Sequence, residues 1–298
     1  MFAAAAFDAF LRERRVPCRS GHPLASGTTF RIGGPARWLV EPETPDQAAG
    51  TLRAARECDI PINVLGGGSN LLVRDAGVDG AVLRFNRLSS VAWGCDGSTI
   101  VEGGASLPRL VKEATRRGLS GLEGLTGVPG SVAGALVMNA GGRHGEIGPS
   151  VHWVDVLEAD GTPRRLSREE AGFRYRTSDL RGRIVLGARL DLAPVDPASL
   201  AATYDTIMRN KKDTQPLGRP NAGCVFKNPP GAKAGMLIDA CGLKGARAGA
   251  AHVSSKHANF IINEGRATAD DVLGLIDRIR SEVSARHGVS LELEILVW

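Results

Sequence analysis

Aromatic residues are scarce in this sequence, although its net charge is positive. Phe, Trp and Tyr make up 5% of the 298 residues, and the formal net charge is +5. Nucleic-acid-binding surfaces usually combine basic runs with aromatic side chains, and no such interleaved run occurs here. Arg and Lys also bind small phosphorylated molecules, which need no long basic stripe. The composition therefore favours a small phosphorylated ligand and argues against a nucleic-acid partner.

Paired cysteines and long apolar runs are also missing. The five Cys are odd in number and form no CxxC pair, which argues against a disulfide framework and a zinc site and favours a reducing compartment. No apolar run approaches the roughly 20 residues that span a bilayer. Asp8 interrupts the apolar start before Leu11 and no cationic segment precedes it, so we predict an amphipathic helix and not a signal peptide. We expect a cytoplasmic monomer with no metal and no membrane contact.

Glycine, by contrast, is abundant and clustered. The sequence contains 38 Gly, roughly twice the usual share of about 7%. One cluster, Gly66–Gly68 followed by Ser69 and Asn70, lies between strands predicted at 60–65 and 81–85. Glycine has no Cβ atom, so its exposed backbone N–H groups can approach and bind a pyrophosphate closely. A glycine-rich hairpin is the alternative interpretation.

The cluster matches neither common nucleotide motif. Leu71 stands where GxGxxG requires its last Gly, and no helix is predicted to follow. The Lys-Ser/Thr pair of the P-loop is missing as well. A second glycine-rich segment, 121–142, has small residues every three or four positions. Close helix packing and a flexible loop are alternatives, but its apolar run 132–138 indicates burial. Two ordered glycine segments between β elements favour a large flat cofactor with a diphosphate.

The remaining pattern predicts alternating helices and strands. Thr44 and Pro45 begin one helix and Thr268 caps the last, which Gly288 ends. Residues 289–297 alternate between apolar and polar positions and predict one continuous strand. Ala193–Pro197 is the predicted linker. The other predicted elements are helices at 45–58, 106–117 and 199–212, a helix beginning after Pro129, and strands at 98–102, 151–158 and 183–191.

Seven motifs in order resemble the UDP-N-acetylenolpyruvoylglucosamine reductase family over residues 20–298. They are Thr29–Gly34, Val64–Leu71, Gly127–Ser131, Met138–Gly141, Tyr175-Arg176, Phe226–Pro229 and His257–Ile262. The resemblance implies an α+β protein with a two-part FAD-binding domain of vanillyl-alcohol-oxidase type and an α/β substrate-binding C-terminal domain. The implied domains are 1–87, 88–193 and 194–298, with the last strand returning to the active-site cleft. The short stretch after Tyr175 is similar to the subgroup without an extra tyrosine loop.

The same resemblance implies noncovalent FAD, NADPH as co-substrate, and a step of peptidoglycan precursor synthesis. A UDP-sugar enolpyruvyl ether would be reduced to a lactyl ether, which requires stabilisation of an enolate and a proton donor. Arg176 and Glu294 match the family's catalytic arginine and glutamate, while Glu292 competes with Glu294 on the same side of the predicted strand. Cys224 stands where the family usually has its proton-donating serine. A thiol is a stronger acid than an alcohol, so we predict that Cys224 donates the proton; a buried structural cysteine is the alternative.

Binding residues follow from the same motifs. Leu296 departs from the family, which often has a basic residue there beside the cofactor phosphates, and His257 is interpreted as structural. The residues implied to bind substrate are Lys227, Asn228, Lys244 and Tyr175. Those implied to bind the cofactor are Leu65, Gly66, Gly67, Gly68, Ser69, Asn70, Leu71, Gly127, Val128, Pro129, Gly130, Ser131, Gly134 and Asn139. Competing functions are an FAD-dependent alcohol or sugar oxidase of the same superfamily and a non-catalytic flavin- or nucleotide-binding module.

Overall fold

The computed structural model describes residues 2–298, which form two compact units. The first contains the chain up to Ser20, Arg37–Gly67 and Asp79–Arg209, and the second contains Gly21–Ala36, Gly68–Val78 and Asn210–Trp298. Helices and mostly antiparallel sheets confirm an α+β fold. Within residues 2–298, no helix has both the length and the apolar character needed to cross a membrane.

Both units are built from helices and short strands. The helices are α1 Phe2–Glu13, α2 Pro45–Glu57, α3 Leu107–Arg116, α4 Val132–Val137, α5 Arg168–Ala171, α6 Pro197–Thr214, α7 Ala234–Ala240 and α8 Ala269–His287. The strands are β1 Cys18–Pro23, β2 Pro35–Val40, β3 Ile62–Leu65, β4 Leu71–Leu72, β5 Val78–Arg84, β6 Val91–Trp93, β7 Ser98–Glu102, β8 Leu119–Ser120, β9 Gly141–Gly142, β10 Gly145–Glu146, β11 Val151–Leu157, β12 Pro163–Ser167, β13 Ile184–Asp191, β14 Ala193–Pro194, β15 Arg247–Ala248, β16 Ala251–Val253, β17 Ile261–Asn263 and β18 Leu296–Val297. Short 3₁₀ helices lie at Leu24–Gly27, Glu123–Leu125 and Gly148–Ser150.

The first unit has two hydrophobic cores. A sheet of order β1-β2-β5-β3 pairs β3 parallel to β5, and its core includes Phe7 of α1 packed edge-on against Trp38 at 5.4 Å between ring centroids. Thr44 caps α2 by accepting a hydrogen bond from the Gln47 N–H, with Pro45 in the first turn, as predicted. A second, five-stranded sheet of order β12-β11-β13-β7-β6 packs with α3 and α4 around the other core.

In the second unit, α8 packs against short strands and against α7. Thr268 and Asp271 form a capping box at the start of α8, and Gly288 ends the helix with a φ of 66°. A three-stranded sheet of order β15-β16-β17 and the buried side chains of α7 and α8 share one core, which also contains Phe226. The strand β18 pairs parallel to β4, so the chain's last residues lie directly beside the segment that follows the glycine loop.

One predicted element was wrong. Residues 289–297 do not form a continuous strand: only Leu296–Val297 is strand, with an isolated bridge between Leu293 and Phe226. The alternation of side chains is nevertheless present, because Leu291 and Ile295 are buried while Glu292 and Leu296 are exposed. Alternating burial shows which side chains face a core. A β-strand also needs a neighbouring strand whose backbone forms hydrogen bonds along its whole length.

The other predicted elements are confirmed within a few residues, including the glycine loop between β3 and β4. The predicted linker begins with Ala193–Pro194, which pairs with Leu119–Ser120. The division into domains at 87/88 and 193/194 stays a prediction.

Candidate active site

In the first unit, the two glycine-rich segments touch each other through their backbones. A Cβ added to Gly66 would lie 2.6 Å from the Ser131 Oγ, and one added to Gly67 would lie 2.5 Å from the Gly130 Cα. The neighbour of Gly67 is backbone, so only glycine permits this approach, whereas the neighbour of Gly66 is a side-chain oxygen. Gly66 and Gly67 are nonetheless exposed on their outer side. The structure therefore places the two predicted segments together and leaves bare backbone accessible.

The second segment is held in place by backbone hydrogen bonds to the start of α3. The Leu107 N–H donates to the Gly130 carbonyl at 3.0 Å, and the Val132 N–H donates to the Ala105 carbonyl at 2.9 Å. Ser131 caps α4 by accepting from the Gly134 N–H. Because the segment is fixed and Gly134 is exposed, a diphosphate can approach this backbone closely without reordering it. This arrangement fits a dinucleotide cofactor.

In the second unit, the end of the glycine loop is tied to the C-terminal segment. Gly68 has a φ of 60°, and a Cβ there would lie 2.1 Å from the Gly27 carbonyl oxygen. The Asn70 side-chain amide donates to the Glu294 carbonyl at 3.0 Å, and the Leu296 N–H donates to the Asn70 carbonyl at 2.9 Å. Asn70, the last residue of the loop, and Glu294 are thus neighbours in space. The side chains of Leu65 and Leu71, which flank the loop, are buried.

Cys224 and Glu294 lie on adjacent backbone segments of the second unit. The Glu294 N–H donates to the carbonyl of Val225, the residue after Cys224, at 2.8 Å. The Asn259 side chain holds Phe226 from both sides, accepting from its N–H at 2.9 Å and donating to its carbonyl at 2.8 Å. Asn259 is buried, so these bonds fix the backbone that carries Cys224. Cys224 itself is half-buried.

Glu292, the competing acid, has a different environment. Its side chain is 72% exposed and forms an ion pair with the Lys227 ammonium group. The Lys227 N–H also donates to the Glu292 carbonyl at 2.9 Å. An exposed ion pair on this side is typical of a solvated surface contact. The less exposed Glu294 is therefore the stronger candidate for catalysis.

Arg176 occupies a strained turn of the first unit. Arg174 and Thr177 donate N–H groups to each other's carbonyls at 2.9 and 3.1 Å, which makes Tyr175 and Arg176 the central residues of a tight turn. Arg176 has a φ of 56°, a conformation that costs a residue other than glycine about 1 kcal/mol or more. Its Nε and Nη1 atoms are buried from solvent, while Tyr175 is 51% exposed. Strain of this kind is concentrated at functional sites.

The other predicted site residues have defined structural contacts. The Asn228 Oδ1 accepts from the Ala234 N–H at 3.0 Å, and the Lys244 ammonium donates to Asp239 at 2.6 Å. The Asn139 side chain is buried and bonded within the protein. Burial lowers the pKa of His257, and its Nδ1 accepts from the Asn259 N–H, which fits a neutral structural histidine.

Two buried residues at the site were missed by sequence reasoning as functional candidates. Asn259 was noticed only as part of a motif, and its two bonds to Phe226 leave no trace in local sequence. Thr126, directly before Gly127, has a buried Oγ1 without a hydrogen-bond partner in the described part of the chain. Most buried amide and hydroxyl groups have a hydrogen-bond partner, and the sequence does not show which partner Asn259 has.

Comparison with known proteins defines the class and then the family. A model described as "FAD binding domain" matches residues 36–167, and the fold is also similar to chitooligosaccharide oxidase, with a TM-score of 0.51 at 17% identity over 63% of this chain and 43% of that one. These two matches give the class of fold, a protein with an FAD-binding domain.

A second model, "UDP-N-acetylenolpyruvoylglucosamine reductase, C-terminal domain", matches residues 215–298. The chain is 48% identical to UDP-N-acetylenolpyruvoylglucosamine reductase 2 of Symbiobacterium thermophilum, over 94% of this chain and 92% of that protein. It is 43% identical to the solved UDP-N-acetylenolpyruvylglucosamine reductase of Thermus caldophilus, with a TM-score of 0.82 over 95% of this chain and 99% of that one. The chain belongs to the UDP-N-acetylenolpyruvoylglucosamine reductase family, which confirms the resemblance, the fold class and FAD as cofactor.

Replacing Gly67 with alanine is expected to remove FAD from the purified protein. The new methyl carbon would lie 2.5 Å from the Gly130 Cα. Because this carbon is bonded directly to one backbone and contacts another, neither can rotate away, and the two glycine segments must move apart. Flavin content, measured by absorbance per mole of protein, checks this. Gly142→Ala is the matched control, since nothing lies within 4 Å of a Cβ there. A Gly67→Ala protein with full flavin content would contradict the assignment.

Proposed function

We propose that this chain reduces UDP-N-acetylglucosamine enolpyruvate to UDP-N-acetylmuramate with NADPH, in peptidoglycan precursor synthesis. The observation that carries the proposal is the hydrogen bond between Glu294 and Val225, because it brings the candidate acid beside the segment of the candidate proton donor. FAD, held by the backbone of the two glycine segments, would supply the redox chemistry by which a hydride equivalent from NADPH reaches the terminal carbon of the enol ether. The protein is further proposed to act as a cytoplasmic monomer without nucleic-acid or membrane partners.

Each proposed catalytic residue has one task. The planar Arg176 guanidinium holds the substrate carboxylate by two parallel hydrogen bonds and stabilises the charge that develops during hydride addition. Glu294 assists in stabilising that enolate, which requires its carboxyl group to be protonated or hydrogen-bonded with the arginine, because an ionised carboxylate alone would repel the negative charge. Cys224 then donates its Sγ proton to the carbon next to the carboxylate, and the thiolate recovers a proton from solvent. One hydride and one proton together saturate the double bond.

The glycine segments and the polar residues divide the binding. Bare backbone at Gly66, Gly67 and Gly130 would hold the FAD diphosphate. The remaining cofactor residues predicted from the motifs would complete that site, except Asn139, whose side chain is fully hydrogen-bonded within the protein. Lys227, Asn228, Lys244 and Tyr175 are proposed to contact the UDP-sugar. Lys227 and Lys244 form ion pairs with Glu292 and Asp239, and both would exchange these partners for substrate phosphate oxygens. The exchange is feasible because a surface ion pair contributes only about 1 kcal/mol or less.

Half-reaction spectroscopy tests the proposal. Under anaerobic conditions, NADPH should bleach the flavin of the purified protein, and UDP-N-acetylglucosamine enolpyruvate should restore the absorbance with stoichiometric formation of UDP-N-acetylmuramate. Reoxidation by oxygen alone, with an alcohol or sugar as the reducing substrate, would replace the proposal with an oxidase. A protein that binds flavin but is reduced by neither donor would be a binding module.

A further inference from the structure

The buried side chain of Asn139 connects the hairpin region 139–148 to the turn that begins at Arg174. Its Nδ2 donates to the Glu146 Oε2 at 2.7 Å and to the Arg174 carbonyl at 3.1 Å, and its Oδ1 accepts from the Gly148 N–H at 3.1 Å. The side chain is only 2% exposed. Both amide protons and the amide oxygen are therefore used, which also fixes the orientation of the amide: a flipped group would set its N–H₂ against the Gly148 N–H.

The Arg174 carbonyl that Asn139 binds belongs to the turn that presents Arg176. This carbonyl also accepts from the Thr177 N–H at 3.1 Å, so it closes the turn in which Arg176 has a φ of 56°. Asn139 itself has a φ of 42°, a conformation that asparagine tolerates better than most residues. A strained turn persists only where its surroundings hold it, and the Asn139 amide is one of the groups that hold this one.

Glu146 in turn fixes the Asn139 amide. It lies in β10, which pairs antiparallel to β9, and a Cβ at Gly141 would lie 2.6 Å from the Glu146 Cα. The hairpin is thus tightly packed, and the Glu146 carboxylate has a defined position from which to accept the Asn139 proton. A charged acceptor gives a stronger hydrogen bond than a neutral one.

We propose that Asn139 and Glu146 form a clamp that positions Arg176 for the reduction of the enolpyruvyl group. The clamp consists of the Asn139 amide, the Glu146 carboxylate and the Arg174 carbonyl. Neither Asn139 nor Glu146 takes part in the chemistry: both are positioning residues that act through the backbone of the turn. The inference rests on the proposed function, because it assumes that Arg176 binds the substrate carboxylate.

Exchanging the hydrogen-bonding groups tests the clamp in the FAD-loaded enzyme. Asn139→Asp places a carboxylate oxygen against the Glu146 carboxylate and the Arg174 carbonyl, so it should slow reoxidation of the NADPH-reduced flavin by the enolpyruvyl substrate at least tenfold. Flavin content and the rate of bleaching by NADPH should stay unchanged. Adding Glu146→Gln lets the new amide at position 146 donate to the new carboxylate at position 139 and removes the repulsion between two carboxylates. It should recover part of the lost rate, while the Arg174 carbonyl still lacks the donor that Asn139 gave it. Glu146→Gln alone should have a small effect, because the Gln carbonyl still accepts from Asn139.

Hydrogen exchange at the Thr177 amide gives a second reading that needs no substrate. Its exchange should be faster in Asn139→Asp and slower again in the double variant. If the wild type fails to reduce the enolpyruvyl ether while exchange follows this order, the proposed function is lost but the clamp on the turn stands. Equal effects of the single and double variants on both readings, or faster exchange with an unchanged reoxidation rate, would overturn the positioning role.

Thr115→Val is the control for general loss of a buried hydrogen bond in the same unit. The Thr115 hydroxyl donates to the Val111 carbonyl at 2.9 Å within α3. This variant should leave both the Thr177 exchange rate and the reoxidation rate at wild-type values, even where its melting temperature falls. A slower reoxidation in Thr115→Val would show that the rate follows stability and not the clamp.

Discussion

In the Cys224→Ala variant, NADPH is expected to bleach the flavin at the normal rate. The rate at which the enolpyruvyl substrate is reduced should fall by about 10²–10⁴-fold, the usual contribution of a general acid. The flavin site should be intact, because Cys224 lies outside the glycine segments that meet at Gly67 and Gly130. Stopped-flow measurement of the two half-reactions separates the effects: bleaching reports NADPH and flavin, and reoxidation reports hydride and proton transfer to the substrate.

Cys224→Ser and Cys95→Ala make this experiment specific. Serine keeps a proton donor of similar size at the position, so Cys224→Ser should retain activity, although a weaker acid is expected to turn over more slowly. Cys95 is an exposed free cysteine, and its replacement by alanine should change neither half-reaction. Wild-type reoxidation in Cys224→Ala would instead establish that Cys224 is a structural cysteine and that the proton comes from another group.

Arg176→Lys is expected to reduce the rate of substrate reduction by about 10²–10³-fold, similar to the loss of one preorganised electrostatic contact in other enzymes. Lysine keeps the positive charge but cannot offer the two parallel N–H groups that a carboxylate accepts from a guanidinium. Because the side chain is proposed to bind the carboxylate in the transition state, kcat should fall more than KM rises. Bleaching by NADPH should again be unaffected.

Arg181→Lys provides the matched control for Arg176→Lys. Arg181 is an exposed arginine in the same part of the chain, near the Met138 sulfur at 3.8 Å, and its replacement should leave both half-reactions unchanged. A similar loss in the two variants would indicate a general electrostatic effect of the arginine-rich segment. Full activity in Arg176→Lys would show that a positive charge at this position is sufficient for catalysis, and it would contradict the proposed binding of the carboxylate by two parallel hydrogen bonds.

Local features of the sequence were sufficient for the helix boundaries and for the cofactor loop. Thr44 and Thr268 cap helices as predicted, because a capping hydroxyl acts on N–H groups only three residues away. The glycine loop was likewise recognised as a site of close backbone approach, since the absence of a Cβ is a property of the residue itself. In both cases the physical cause lies within a few residues along the chain.

The same reasoning failed for the final strand. Its alternation was read correctly, but its backbone partners come from separate segments: the Glu294 N–H bonds to Val225 and the Leu296 N–H bonds to Asn70. A period-two pattern therefore shows which side chains are buried, but it does not show whether the backbone pairs with a neighbouring strand. The competition between Glu292 and Glu294 remained open for the same reason, because both occupy the same phase of the pattern.

By itself, the sequence determined the caps, the two glycine segments and, through seven motifs, the resemblance to the reductase family, which implied the α+β class. Only the tertiary structure decided that Gly67 meets Gly130, that Glu294 lies beside the segment of Cys224, and that Asn139 holds the turn of Arg176. These contacts join segments that are distant along the chain. They depend on how buried donors and acceptors find partners during packing, and no local pattern of residues specifies that choice.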